Sequence, residues 1–217
     1  MERREIVEGA VALLDQHGES GVTMRALAGR LQISAPSLYW HYPSKRDLLE
    51  DVADALVADV ALGRGDPAVR IDPAQRLLVL LGDFRRALLG HRDGGRVFAG
   101  TFTLGPHVLD LSEAGTSLLV EAGAACAGEA LDTWFNLVRF VVGSVIEEQG
   151  AAGQPELAGR RAVFREANAH RPTILAATER VFAPDEDRRF EDGVRRLIQP
   201  PEVRRPARPR TTFSPST

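Results

Sequence analysis

Apolar residues at Ile6, Ala10, Leu13 and Leu14 recur with a helical period, and Gly18 and Gly21 end that segment. Thr23 suits the N-cap of a second helix, "MRALAGRL", on which Ala26, Leu27 and Leu31 share a face. "QIS" reads as a short turn. Ser34 caps a third helix that carries Pro36 in its first turn, where the missing N–H costs nothing. Pro43 disfavours helical geometry at Tyr42, so that helix is short. Ser44-Lys45-Arg46-Asp47 matches a capping box and opens a longer helix with Leu48, Leu49, Val52, Ala55 and Leu56 on one side.

"GRGDP" (63–67) is then a loop, and Asp72-Pro73 starts a Leu-rich helix that runs to Leu89 and is broken by "GHRDGG". Pro106 opens a helix ending near Gly123, and another runs from about Gly128 to Glu148. "GAAGQP" (150–155) reads as a flexible connection, after which three helical patterns end near Phe164, Phe182 and Ile198. No long period-2 stretch is present, so the predicted fold class is all-α. The division is a small three-helix head (1–46), a larger helical domain (47–200) and a Pro/Arg-rich tail (201–217) expected to be disordered.

A chain with 44% apolar and 26% charged residues has ample material for a core. Its single cysteine, Cys126, excludes an intrachain disulfide and fits a reducing compartment. The N-terminus lacks a signal peptide's apolar stretch, and no run approaches the ~18 apolar residues of a membrane span. The expectation is a cytoplasmic protein without a membrane partner. A net charge of −3 argues against a surface basic all over. Its distribution is more telling. Between Ser20 and Arg46 there is no acidic residue, although the chain has 30 of them, while Arg25, Arg30, Lys45 and Arg46 all fall inside.

Two short helices joined by a three-residue turn form a helix-turn-helix pattern, whose second helix enters the major groove by its N-terminal end. Ala35, Pro36 and Ser37 stand there and are small enough to let the helix approach base edges. Tyr39, His41 and Lys45 fall where polar and charged groups reach phosphates. Leu38 and Tyr42 are expected to face inward. A structural hairpin alone would explain the apolar half of this segment but not the missing acids.

"GVTMRALAGRLQISAPSLYWHYPSKRDLL" resembles the DNA-binding signature of the tetracycline-repressor (TetR) family over some thirty positions, most specifically in "LYWHYPSKRDLL". That resemblance implies a homodimer reading a palindromic operator in double-stranded DNA, with a variable C-terminal domain for a small-molecule effector. Carried over by position, Thr23, Arg25, Pro36, Ser37, Tyr39, Trp40, His41 and Lys45 would contact DNA. A base-contacting polar residue common before the proline is replaced by Ala35.

Two segments of the larger domain are similar to the tetracycline repressors of that family. "FRRALLGHRDGGRVFAGT" (84–101) resembles their pocket segment, and "VVGSVIEEQG" (141–150) the end of their dimer-forming helix. The resemblance puts the ring-contacting Phe on Phe84 and retains Thr101. The metal-binding histidine falls on Phe98, and a polar Asn falls on Leu80. Glu147 fits a position that binds the metal through water, but one carboxylate is a poor Mg²⁺ site. The expectation is a metal-free, cofactor-free pocket lined by Leu80, Phe84, Phe98, Phe102 and Leu104, with Thr101 among its polar groups.

On the helix after Gly128, Asp132, Asn136, Arg139, Gly143 and Glu147 fall within an arc of ~80°. They are either a solvated or dimer-seam stripe, or Asn136, Arg139 and Glu147 line the cavity beside Trp134. Enzymatic readings find little support. Cys126 lacks a neighbouring His and reads as an inert small hydrophobe. His91 reads as a helix C-cap rather than a ligand. Glu166 and His170 lack the repeated carboxylates of a di-iron bundle. The function expected is a ligand-responsive repressor. A TetR-fold activator or ligand-independent regulator is the alternative, and an all-helical enzyme the distant one.

Overall fold

The computed structural model describes residues 2–62, 71–151, 157–182 and 185–198, and among these it is helical without a strand. The first four helices are α1 (Arg3–His17), α2 (Met24–Arg30), α3 (Ala35–His41) and α4 (Lys45–Ala55), with a 3₁₀ turn at Glu19–Gly21. The larger domain contains α5 (Pro73–Leu89), α6 (Gly94–Ala99), α7 (Pro106–Glu121), α8 (Ala127–Ala151), α9 (Leu157–Ala167), α10 (Pro172–Ala176), α11 (Thr178–Val181) and α12 (Glu186–Ile198).

The caps explain these boundaries. Gly18 ends α1 at φ +72, a conformation that disfavours other residues, and its N–H donates to the Leu14 carbonyl. Thr23 Oγ1 accepts from Ala26 N, and Ser34 Oγ from Ser37 N. At α4 only half of the expected capping box forms. Ser44 Oγ accepts from Asp47 N, but its hydroxyl donates to the Asp47 carboxylate instead of leaving that group for the Ser44 backbone. Pro73 and Pro106 stand in the first turns of α5 and α7, where no N–H is needed.

Ile6, Leu14, Leu27, Leu38 and Tyr42 of the head close a core with Leu48 and Val52 of α4. Leu77, Leu80, Leu81, Phe84, Leu88, Leu137, Val141 and Val145 fill the larger domain, where α8 packs against α5, α6, α7 and α12. Arg85 is the charged exception in that core. It reaches both Glu148 carboxylate oxygens (2.8 and 2.7 Å) and Asp187 (2.6 Å), and lies over the Phe190 ring, tying α5, α8 and α12 together. Burial lowers the pKa of this guanidinium, but the two carboxylates outweigh it and raise the net value, so Arg85 stays charged.

Four expectations change. "GHRDGG" does not simply break a helix, because Gly94 and Gly95 open α6. The helix α8 continues through Gly150 and Ala151, which the sequence pattern places in a flexible connection. The pattern ending near Phe182 is two short helices, α10 and α11, split at Ala177. Cys126, read as an inert small hydrophobe, is exposed just before α8 and packs into no core. The "GRGDP" loop, residues 152–155 and the 201–217 tail lie outside the described residues.

Candidate DNA-reading surface and effector domain

Gln32 adopts φ +56 in the turn between α2 and α3, which folds the second helix across the first. Leu38 and Tyr42 are fully buried, as their spacing requires. The Tyr42 hydroxyl donates to Asp51 at 2.5 Å, and Arg3 lies over its ring at 4.8 Å. Burial, reinforced by the Asp51 carboxylate, pushes the Tyr42 phenol well above its ordinary pKa.

The opposite face of α3 points outward. Pro36, Ser37, Tyr39 and Trp40 are exposed, as are Thr23 and Arg25 of the preceding turn and helix. Trp40 is 89% exposed, so its indole buries almost nothing within its own chain. Ser37 Oγ lies 2.8 Å from Ser34 Oγ, which orients the hydroxyl at the N-terminus of α3. Ala35 and His41 are half-buried, and Ala35 packs against the core. Lys45 is also half-buried, with Nζ donating to the Glu19 carbonyl at 3.0 Å. Two of its three ammonium donors remain for another acceptor.

Contacts between head and larger domain are specific. In the turn between α5 and α6, His91 Nδ1 lies 3.0 Å from Asp15, and Arg92 donates to the Gln16 carbonyl at 3.2 Å. Asp93, at φ +56, accepts from Glu19 N at 2.9 Å. Within the larger domain, α4, which leads out of the head, is joined to α7 through buried Asp54, which meets His107 Nδ1 at 2.7 Å and accepts from Val108 N at 2.9 Å. His91 thus pairs with a carboxylate of α1, a role its position after α5 had not disclosed. No local motif marks Asp15, Asp54, Asp93 or His107; the sequence signal is an ionisable triplet between glycines in "GHRDGG".

In the larger domain, Leu80 and Phe84 are fully buried, and Phe98 meets Phe84 edge-on with centroids 5.1 Å apart. Thr101 Oγ1 donates to the Phe98 carbonyl and closes α6. The Phe98 ring therefore stands in an aromatic contact where a cation-ligating imidazole would be needed. Among the described residues no cluster of three or more His, Cys, Asp or Glu could hold a metal. The residues present do not fit Mg²⁺.

Other pocket expectations need correction. Phe102 and Leu104 are 72% and 68% exposed, on the segment between α6 and α7, and do not line an interior wall in this structure. Trp134 is buried on α8, whereas Asn136 and Arg139 are exposed and bonded to each other at 3.1 Å. Two residues of α-helix turn the chain by roughly 200°, so Trp134 and Asn136 face opposite ways. Glu147 lies on that outer stripe too, where it lines a 510 Å³ cavity between α8 and α12 together with Phe140, Ser144, Glu186, Arg189 and Phe190. In the single chain, Asp132, Asn136, Arg139, Gly143 and Glu147 form an exposed stripe, of which Glu147 alone reaches that cavity's wall.

Residues 6–52 match the family model described as "Bacterial regulatory proteins, tetR family", and residues 72–200 match "Tetracyclin repressor-like, C-terminal domain". The chain belongs to the TetR family. Its similarity to the tetracycline repressor protein class A from transposon 1721 of Escherichia coli is 35% identity over 196 residues, 89% of this chain and 87% of that protein. A crystal structure of a possible TetR family transcriptional regulator from Streptomyces coelicolor A3(2) is similar at 34% identity and TM-score 0.77, covering 91% and 97% of the two chains. ActR from Streptomyces coelicolor, in complex with actinorhodin, is similar at 25% identity and TM-score 0.80, covering 91% and 93%. The relatives are TetR-family transcriptional regulators, not enzymes. No described helix of this TetR-family chain is long and apolar enough to cross a membrane.

Proposed function

We propose that this protein is a homodimeric repressor that holds a palindromic operator through the outer face of α3 and releases it on binding a flat, largely apolar molecule. The head comprises residues 1–46, the effector and dimerisation domain 47–200, and the protein acts in the cytoplasm. The observation that carries the DNA assignment is a solvent-facing Ser37-Tyr39-Trp40 surface on a helix-turn-helix within an acid-free stretch. Ser37 stands nearest the base edges. Tyr39, Trp40, Thr23, Arg25 and Lys45 supply backbone contacts, with His41 beside them.

Leu131 and Phe135 of α8 and Leu197 of α12 are exposed in the single chain, which supports a second copy covering these helices. The tetracycline-repressor-like segment 84–101 supports an effector site within α5–α8, as do the apolar Phe84–Phe98 contact and the likeness to ActR with its bound actinorhodin. Phe98 supports binding without a divalent cation. Effector binding changes the operator affinity only as far as it prefers the non-binding arrangement of the two heads.

The test is operator release by a hydroxylated polycyclic quinone, measured with and without EDTA. Release unaffected by EDTA agrees with this function. A requirement for Mg²⁺ contradicts the metal-free site, and retention of DNA under every such quinone contradicts the effector class.

A further inference from the structure

Among the described residues, two buried side-chain polar atoms have no hydrogen-bond partner: Trp134 Nε1 and Thr116 Oγ1. They belong to the helix pair α8 and α7. Among the described residues Trp134 is the largest fully buried side chain, 1% exposed, so its indole N–H is lost to solvent as well. Buried Trp N–H groups ordinarily find a partner, and one that does not carries the full cost of its desolvation.

The packing shows why the ring sits there. The benzo edge of Trp134 (Cε3, Cζ3, Cη2) lies so close to Gly115 that a Cβ at that position would overlap it. The absent side chain of Gly115 is the seat of the ring. In indole the N–H lies on the five-membered ring, away from that benzo edge. Gly115 therefore accommodates the apolar part of Trp134 and offers nothing to its polar part.

The structure assigns Trp134 Nε1 and Thr116 Oγ1 as the neutral polar recognition groups of the effector site. This rests on the effector reading above and deepens it. An indole N–H donates and never accepts, so it calls for an acceptor oxygen; a threonine hydroxyl takes either role. Neither group is charged. The complementary ligand is an uncharged, flat polycycle with a carbonyl or ether oxygen for Trp134 and a phenolic hydroxyl or second oxygen for Thr116. The apolar remainder of such a molecule suits the Leu80, Phe84 and Phe98 side of the same domain. Arg139, exposed on the outer stripe, has no part in this recognition.

Two probes with the same three fused rings separate the terms: 1,8-dihydroxyanthraquinone carries the oxygens, and anthracene does not. The full-length protein, labelled with ¹⁵N at indole, gives two Trp signals, and the one missing in Trp134→Phe belongs to Trp134. The anthraquinone is expected to shift that signal. Its affinity should fall about tenfold in Trp134→Phe and by a similar factor in Thr116→Val, as for loss of one buried hydrogen bond. Anthracene should bind native protein and Trp134→Phe alike.

The inference is overturned if the anthraquinone binds both variants as it binds native protein, or leaves the Trp134 signal unmoved at saturation. Failure of both probes to bind overturns it as well. So does exchange of the N–H with a buried water that the probe does not displace. The signal is read in protein with Trp134 intact, so a poorly folded variant does not decide the matter. Operator release is scored separately. A shifted Trp134 signal without release removes the effector reading and keeps the site; release with an unmoved signal does the reverse.

Discussion

Asp54, at the end of α4, and His107, at the start of α7, share a 2.7 Å hydrogen bond that ties the helix leading out of the DNA-reading head to the effector domain's α7. The same carboxylate accepts from Val108 N, so one buried group caps α7 and holds α4. Removing it orphans a helix N-terminal donor and detaches the helix that carries the head. Asp54→Ala is expected to cost about 1–3 kcal/mol of stability in urea titrations. It should also lower the ratio of operator affinities without and with effector. An unchanged ratio would show that coupling runs elsewhere, through the Asp15–His91 and Glu19–Asp93 contacts for instance.

Trp40→Ala should separate binding from folding. The side chain is almost wholly exposed, so the melting temperature should move little. Operator affinity should nevertheless fall. A variant that keeps full affinity would remove Trp40 from the DNA surface. Lys45→Ala should weaken binding about evenly over DNA sequences and reduce the salt slope by roughly one unit. Because Lys45 Nζ also holds the Glu19 carbonyl, that variant should lose a little stability too, which Trp40→Ala should not.

Arg85 and Asp187 should differ sharply in urea, although they touch. Arg85→Ala leaves Glu148, only partly exposed, without its bidentate partner, and about 3 kcal/mol should be lost. Asp187 reaches Arg85 from the surface, where solvent screens the pair, so Asp187→Ala should cost less than about 1 kcal/mol. Equal losses would mean that α12 is held by the exposed contact.

Tyr42 supplies a pH dependence with a definite sign. Its phenol is raised above the ordinary value of 10.0, so the folded head holds this proton more tightly than the unfolded chain. The stabilisation is complete below about pH 10 and is lost as pH rises beyond it. Thermal melting from pH 8 to 11 should show a steeper decline in native protein than in Tyr42→Phe. Parallel declines would place the alkaline transition on another group.

The head was largely legible because its rules are local. Thr23, Ser34 and Ser44 accept the N–H groups that their positions assign, and the Pro43 restriction ends α3 before Tyr42. The helix starts at Pro73 and Pro106 followed from the same chemistry. What escaped depends on neighbours distant in sequence. Gly94 and Gly95 look like helix breakers, yet they open α6. A Cβ at Gly94 would overlap the Leu88 carbonyl, and one at Gly95 would lie 2.8 Å from Val145. Helical periodicity put Asn136, Arg139 and Glu147 on one arc but could not say which side faced inward. Trp134, at the opposite angle, took the interior because burying its ring against Gly115 outweighs burying an amide and a guanidinium.

The central claim is that α3 reads a two-fold-symmetric DNA site through its outer face. Selection of bound duplexes from random DNA by the full-length protein tests it most directly. The native chain is predicted to enrich an inverted repeat with half-sites about one helical turn apart. Ser37→Ala, which leaves the buried face of α3 untouched, is predicted to lose preference at a base pair in each half-site. Enrichment of no inverted repeat by the native chain, or of the same repeat at undiminished preference by Ser37→Ala combined with Trp40→Ala, would contradict it.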